Sequence, residues 1–206
     1  MEGSMNTSLT FKTPWGWMGA AASARGARAG VCRIVLPRGS RREVEATLHR
    51  ESLEVLWGKG KTSRLAPRTR CIPRNTGSPA RLTVLVEEAR AQLVAFLEGK
   101  RRALDFPIDL SGGSTFQRQV WRAILRIPYG RVRSYKWVAL RVGGARYARA
   151  VGQALGSNPV PIVIPCHRVV AQDASLGGFS GGLKTKRRLL ALEGTLPQLL
   201  PRKRNG

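Results

Sequence analysis

From residue 111 to residue 172 the chain contains no aspartate or glutamate. The same stretch holds Arg118, Arg122, Arg126, Arg131, Arg133, Lys136, Arg141, Arg146, Arg149 and Arg168. Over the whole chain 36 Lys and Arg stand against 12 Asp and Glu, a formal net charge of +24. A surface so poor in carboxylates suits a polyanion, and the one-sided block predicts a phosphate-facing region. Metal-ligating residues are scarce too. The only histidines are His49 and His167, and the three cysteines, Cys32, Cys71 and Cys166, form no Cys-x-x-Cys pair. That shortage argues against a zinc site. An odd cysteine count at wide spacing is no disulfide framework and fits a reducing compartment. No run of 18 apolar residues occurs, so no transmembrane helix and no membrane partner are expected. Trp15 to Ala24 is apolar, but only Lys12 precedes it, so it lacks the basic flank of a signal peptide and reads as a strand.

What is present is enough for a globular protein. The chain has 206 residues, 42% of them hydrophobic, which allows one or two domains with a real core. Asn6 to Lys12, Trp15 to Ala22 and Val31 to Leu36 read as short strands of a small antiparallel sheet. Glu43 to Leu56 reads as a weakly patterned helix, and Gly58 to Pro79 as a basic loop. Leu82, Val86, Ala89, Leu93 and Phe96 recur at helical spacing and predict a core-facing stripe. Ala103 to Leu110 reads as a returning strand. In the second half, Phe116 to Ile127 predicts a helix that Pro128-Tyr129-Gly130 breaks. Ser134 caps a short helix through Arg141. Gly143-Gly144 forms a turn, and Arg146 to Leu155 makes the next helix. Two short helices around a glycine turn in a basic context suggest a helix-turn-helix. Lys184 to Leu192 is a final amphipathic helix, followed by a basic tail from Pro197. The expected division is residues 1–110 and residues 111–206.

The most unusual run is Pro161-Ile162-Val163-Ile164-Pro165-Cys166-His167-Arg168-Val169. A thiol becomes a nucleophile when a neighbour lowers its pKa or takes its proton. With Cys166 at the end of an apolar strand, His167 would point to the opposite face. The pair therefore predicts a relay bridged by water, or a bend at the prolines. The competing reading is a buried cysteine that merely packs.

The surrounding motifs weigh against that. Phe116-Gln117-Arg118-Gln119-Val120-Trp121, Ile127-Pro128-Tyr129-Gly130, Arg133-Ser134-Tyr135, Ala148-Arg149-Ala150-Val151-Gly152, Ser157-Asn158-Pro159-Val160-Pro161 and Gly178-Phe179-Ser180-Gly181-Gly182-Leu183 follow in order. With Pro165-Cys166-His167-Arg168 they resemble the O6-alkylguanine-DNA alkyltransferases, densely over Thr115 to Gly194 and loosely before it. The resemblance implies an α/β protein: an N-terminal domain with a small antiparallel sheet plus helices (ribonuclease H-like), then a helical, winged helix-turn-helix-like C-terminal domain. It implies DNA repair by irreversible transfer of the alkyl group of O6-alkylguanine, with O4-alkylthymine as a further candidate, to the protein's own cysteine. Each molecule would act once, as a monomer on the minor groove of double-stranded DNA, with no cofactor, in the cytoplasm or nucleus where DNA lies. Some relatives hold a structural zinc, but the ligands are missing here.

By the same resemblance Cys166 is the nucleophile, His167 its base through a water, and Glu193 the carboxylate that orients the histidine. Tyr135 serves guanine N3, and Ser180 contacts O6. Arg149 fills the space of the extruded base. Ala148, Ala150 and Gly152 let the helix approach the groove. Asn158 ties that helix to the cysteine segment, and Lys186 matches a lysine of the last helix. Tyr147 and Gln153 depart from the pattern, standing where relatives often have smaller residues. Alkyltransferase-like binding proteins lack the cysteine. A helix-turn-helix regulator would leave Pro-Cys-His unused, and a thiol hydrolase would want a separately placed histidine, for which His49 has no supporting motif.

Overall fold

The computed structural model describes residues 5–25, 28–57, 79–173 and 175–196. The expected basic loop before Pro79, the expected basic tail from Pro197 and Cys71 lie outside the described residues. Contacts divide the chain into two compact units, residues 1–98 with 104–112 and residues 99–103 with 113–206. No helix among the described residues is long and apolar enough to cross a membrane.

The first unit is built on strands β1 (Met5–Thr13), β2 (Gly16–Arg25) and β3 (Arg28–Arg38), antiparallel in the order β1-β2-β3. Helices α1 (Arg41–Trp57) and α2 (Pro79–Leu97) cover its two faces. Successive side chains of a strand point to opposite faces, and the alanines of β2 obey this. Ala22 and Ala24 pack with Leu82, Leu85 and Val86 of α2, whereas Ala21 packs with Val44 and Leu48 of α1. A small β2 lets both helices approach closely. At Gly19 an added Cβ would stand 2.7 Å from Val44. All five residues of the expected α2 stripe are buried.

Ala103 to Leu110 does not form the expected strand. It makes a single parallel bridge, Val31 with Ile108, through Val31 N to Pro107 O (2.8 Å) and Asp109 N to Val31 O (2.9 Å). The neighbouring backbone donors are spent on side chains: Asp105 N on Gln92 Oε1 (3.0 Å) and Ser111 N on Asp109 Oδ1 (2.8 Å). Pro107 has no N–H to give.

The second unit starts with α3 (Thr115–Leu125), opened by a reciprocal cap. Ser114 Oγ accepts from Gln117 N, and Gln117 Oε1 accepts from Ser114 N (2.7 Å). Then come β4 (Arg133–Ser134), α4 (Tyr135–Arg141), α5 (Ala148–Gly156), β5 (Val169–Val170) and α6 (Leu183–Leu192). Ser134 caps α4 as expected, accepting from Trp137 N at 3.1 Å. Gly143 and Gly144 take φ of 133° and 131°, a turn conformation open to glycine. A 3-10 turn, Ala145–Tyr147, leads into α5. Trp121 Nε1 donates to Ala154 O (2.8 Å), fixing α5 on α3. β4 and β5 pair in parallel, Arg133 with Val169 and Ser134 with Val170. That pairing brings Tyr135 beside the segment that follows Cys166.

Candidate active site

The cysteine does not end a strand. Residues 161–164 form a turn closed by Ile164 N to Val160 O (3.0 Å), with Ile162 at φ 76°. A β-branched residue there is strained. Pro165, at φ −81° and ψ 61°, makes an inverse γ-turn sealed by Cys166 N to Ile164 O (2.8 Å). Cys166–Arg168 is then a single 3-10 turn. Prolines at 161 and 165 withhold two donors from any ladder, which is why the apolar run bends instead of pairing.

This bend sets Cys166 in the wall of a cavity of about 410 Å³. Tyr135, Ala148, Arg149, Gly152, Phe179 and Ser180 share the lining. Ala150, on the same helix, is half-buried and outside that lining. Gly177 takes φ 61°, and a Cβ on it would meet the Tyr135 ring at 2.9 Å. Only glycine allows the loop to lie against the tyrosine, whose hydroxyl donates to Gly178 O (3.3 Å).

Behind the cavity, the thiol belongs to a buried polar network. Asn158 Nδ2 donates to Cys166 Sγ (3.1 Å) and to Ile164 O (2.8 Å), while its Oδ1 accepts from Val160 N (3.0 Å). Burial pushes the thiol pKa up, and the Asn158 hydrogen bond and the Lys186 charge oppose it. His167 is fully buried, with Nε2 2.8 Å from Glu193 Oε1. Burial lowers its pKa against the pull of the carboxylate, so the imidazole is neutral near pH 7. Glu193 ends α6 and is also buried. Burial would raise its pKa, but hydrogen bonds from His167 and Arg168 outweigh that and hold it at about 2.

Sequence reasoning misses Arg168 as a site residue. It stands not on the phosphate-facing surface but inside, with Nε on both carboxylate oxygens of Glu193 (3.1 and 2.9 Å) and Nη1 on Ile127 O (2.7 Å). Gly130 N adds a further bond to Glu193 Oε2 (3.1 Å). The available signal was scarcity: Glu193 is the only carboxylate side chain after Asp173, so a cation buried nearby has one partner to find.

Lys186, expected among residues that touch substrate or DNA, is instead enclosed. Its Nζ donates to Val169 O (2.7 Å), to Leu176 O and to Gly178 O (3.4 Å). Burial lowers its pKa to about 8, against a pull upward from Cys166. It fastens the loop of the cavity wall to the segment after the cysteine. Asn158 is likewise buried and holds the cysteine turn. Tyr147 turns its ring back on the protein, 5.9 Å from Phe116, and Gln153 is exposed. Among the described residues no group of three His, Cys, Asp or Glu could hold a metal ion.

The geometry sets a buried thiol in the wall of a cavity bordered by an exposed arginine, and the next residue in the chain is a buried neutral imidazole paired with an ionised carboxylate. A family model described as the DNA binding domain of 6-O-methylguanine DNA methyltransferase matches residues 115–195. The methylated-DNA–protein-cysteine methyltransferase of Mycolicibacterium paratuberculosis is 51% identical over 102 residues, covering 50% of this chain and 61% of that protein. The chain thus spans about three-fifths of that relative's length. The Mycobacterium leprae protein of the same name is 44% identical over 123 residues, 57% of this chain and 74% of the relative. The crystal structure of Mycobacterium tuberculosis O6-methylguanine methyltransferase superposes with TM-score 0.62 at 32% identity, covering 92% of this chain and 93% of that one. A structure of Mycobacterium tuberculosis OGT in complex with DNA gives TM-score 0.60 at 30% identity, covering 90% and 91%.

Proposed function

Since this chain belongs to the methylated-DNA–protein-cysteine methyltransferase family, we propose that it repairs O6-alkylguanine in double-stranded DNA by taking the alkyl group onto Cys166. The observation that carries this reading is the cavity itself: a buried thiol in its wall, with a His–Glu pair behind and Arg149 at its border. The cavity would receive a base extruded from the duplex.

In the proposed step the Cys166 sulfur attacks the alkyl carbon. The S–C bond forms as the C–O6 bond breaks, and the electron pair leaves with guanine. The thiol proton passes through a water to His167. Because ionised Glu193 accepts a hydrogen bond at Nε2, the proton on the neutral ring sits there, and Nδ1 keeps the lone pair that acts as base. The thiol is held protonated by burial until that base takes its proton. Tyr135, freed from Gly178 O, gives its hydroxyl proton to guanine N3, so guanine departs as a neutral base; the tyrosinate is then reprotonated from solvent, to which His167 returns the thiol proton. Ser180 lies in the lining where O6 would sit. The reaction draws only on protein groups, water and substrate.

Arg149 fills the vacated stack, and Ala148, Ala150 and Gly152 let α5 approach the minor groove. In this reading α4 and α5 are the helix-turn-helix of a winged C-terminal domain, and the N-terminal domain is ribonuclease H-like. The protein acts as a monomer, once per molecule, in the compartment that holds DNA. O4-alkylthymine is a second substrate to be tested beside the guanine lesion. The test is mass measurement after incubation with O6-methylguanine duplex. A gain of one methyl group mapped to Cys166, with repair stopping at one lesion per protein, is expected. Sustained turnover, or a methyl on any other residue, would overturn the reading.

A further inference from the structure

The basic block contains a second arrangement that the alkyl transfer does not use. On α4 the Trp137 ring lies beneath two guanidiniums, with the central carbon of Arg141 3.6 Å and that of Arg133 5.4 Å from its centroid. Arg133 stands just before the Ser134 cap, and Arg141 is the last residue of the helix. Both are exposed, as are Lys136 and Leu140. Val138 and Ala139 occupy the core side of α4. Tyr135, which lines the cavity, is two residues from Trp137 and therefore about 200° around the helix. The stack faces away from the cavity.

A cation over an indole is held at a fixed position while its N–H edges stay free to bind. Among the described residues, neither guanidinium has a carboxylate partner; Arg133 spends one N–H on the Val132 carbonyl (2.9 Å). Two arginines set in place without an acid to neutralise them fit a polyanion, since less side-chain freedom is lost on binding.

We propose that the Arg133–Trp137–Arg141 stack is a second phosphate-binding surface, which grips the sugar-phosphate backbone of the bound duplex away from the lesion. This rests on reading α4 and α5 as the helix-turn-helix, in which the first helix crosses the backbone while the second enters the groove. The stack supplies affinity, and the cavity supplies recognition of the damaged base.

The test compares wild type, R133Q/R141Q and W137L for binding to an undamaged duplex across a salt series, and for reaction with free O6-benzylguanine. The double variant should show a slope of log K against log salt that is shallower by about 1.8, the value for two lost phosphate contacts. W137L keeps both charges, so its slope should stay while affinity falls several-fold. All three proteins should react with the free base at one rate. An unchanged slope in R133Q/R141Q would overturn the proposal. So would a matching loss of free-base reaction, which would assign the stack to the fold. Failure of the wild type to take a methyl on Cys166 would instead sink the proposed function, and the salt series reads out independently of it.

Discussion

His167 Nε2 lies 2.8 Å from Glu193 Oε1, and this contact decides which ring nitrogen is left for the thiol. The carboxylate can only accept, so Nε2 carries the hydrogen. Nδ1 is buried and has no hydrogen-bond partner among the described residues. In the proposed relay Nδ1 is the nitrogen that takes the thiol proton through a water.

Replacing Glu193 by Gln should therefore slow alkyl transfer. A glutamine can serve either tautomer, so the base is no longer fixed on Nδ1. The rate should fall by about a hundredfold, the low end for general-base assistance, and the pH-rate profile should move to higher pH. Single-turnover rates with free O6-benzylguanine from pH 6 to 10 (roughly the span of the titrating groups) check this. Equal rates and superimposable profiles would remove Glu193 from the relay.

Arg168→Met should cost stability more than the loss of a surface arginine would. It strands a buried carboxylate, and breaking one side of a buried pair costs about 3–5 kcal/mol. Urea denaturation measures it. The pH dependence follows the same contact. Glu193 is held at about 2 against 4.5 for the free side chain. Its contribution is fully present above pH 4.5 and is lost as pH falls toward 2. In Arg168→Met the folded-state pKa rises from about 2 toward or past 4.5, so the loss of stability between pH 4.5 and 2 should shrink. An acid limb identical to wild type would show that Arg168 does not hold the charge.

The elements that form locally were the legible ones. Ser114 with Gln117 and Ser134 with Trp137 lie within one turn of each other, so α3 and α4 begin where their caps stand. The stripe of α2 and the Gly143-Gly144 turn follow the same logic. The segment around Cys166 was not legible as conformation. Its apolar run resembles a strand, but Pro161 and Pro165 deny it a ladder, and only the folded turn reveals the inverse γ-turn. Lys186 and Arg168 were misplaced for a related reason. A charged residue is assigned to the surface until its buried partners are known. Those partners are the backbone carbonyls of Val169, Leu176 and Gly178 and a carboxylate 25 residues away. Pro-Cys-His by itself leaves a relay and a packing cysteine both open, and the resemblance carried by the surrounding motifs is what favours the relay.

Cys166→Ala should abolish transfer and spare duplex binding. The thiol sits at 4% exposure, while the basic residues assigned to DNA are exposed on α4 and α5. Fluorescence anisotropy with an undamaged duplex should give affinities within about twofold of wild type, since a buried neutral side chain contributes no phosphate contact. A folded variant that no longer binds DNA would mean that the thiol organises the interface.

Arg149→Ala should separate base extrusion from chemistry. Arg149 is exposed and borders the cavity, and no bond joins it to Cys166, His167 or Glu193. Extruding a paired base costs a few kcal/mol of stacking and pairing. Losing the side chain that fills the gap should slow duplex repair by roughly one to two orders of magnitude, at about 1.4 kcal/mol per tenfold. A free base has no stack to leave, so reaction with O6-benzylguanine should stay near the wild-type rate. Ala150→Leu should give the same pattern by holding α5 off the groove. Raised salt should weaken DNA binding by wild type and Arg149→Ala alike, because the other cations still meet phosphates. The ratio of duplex to free-base rate is the deciding quantity. If both rates fall together, Arg149 supports the cavity wall, and extrusion must be driven from elsewhere.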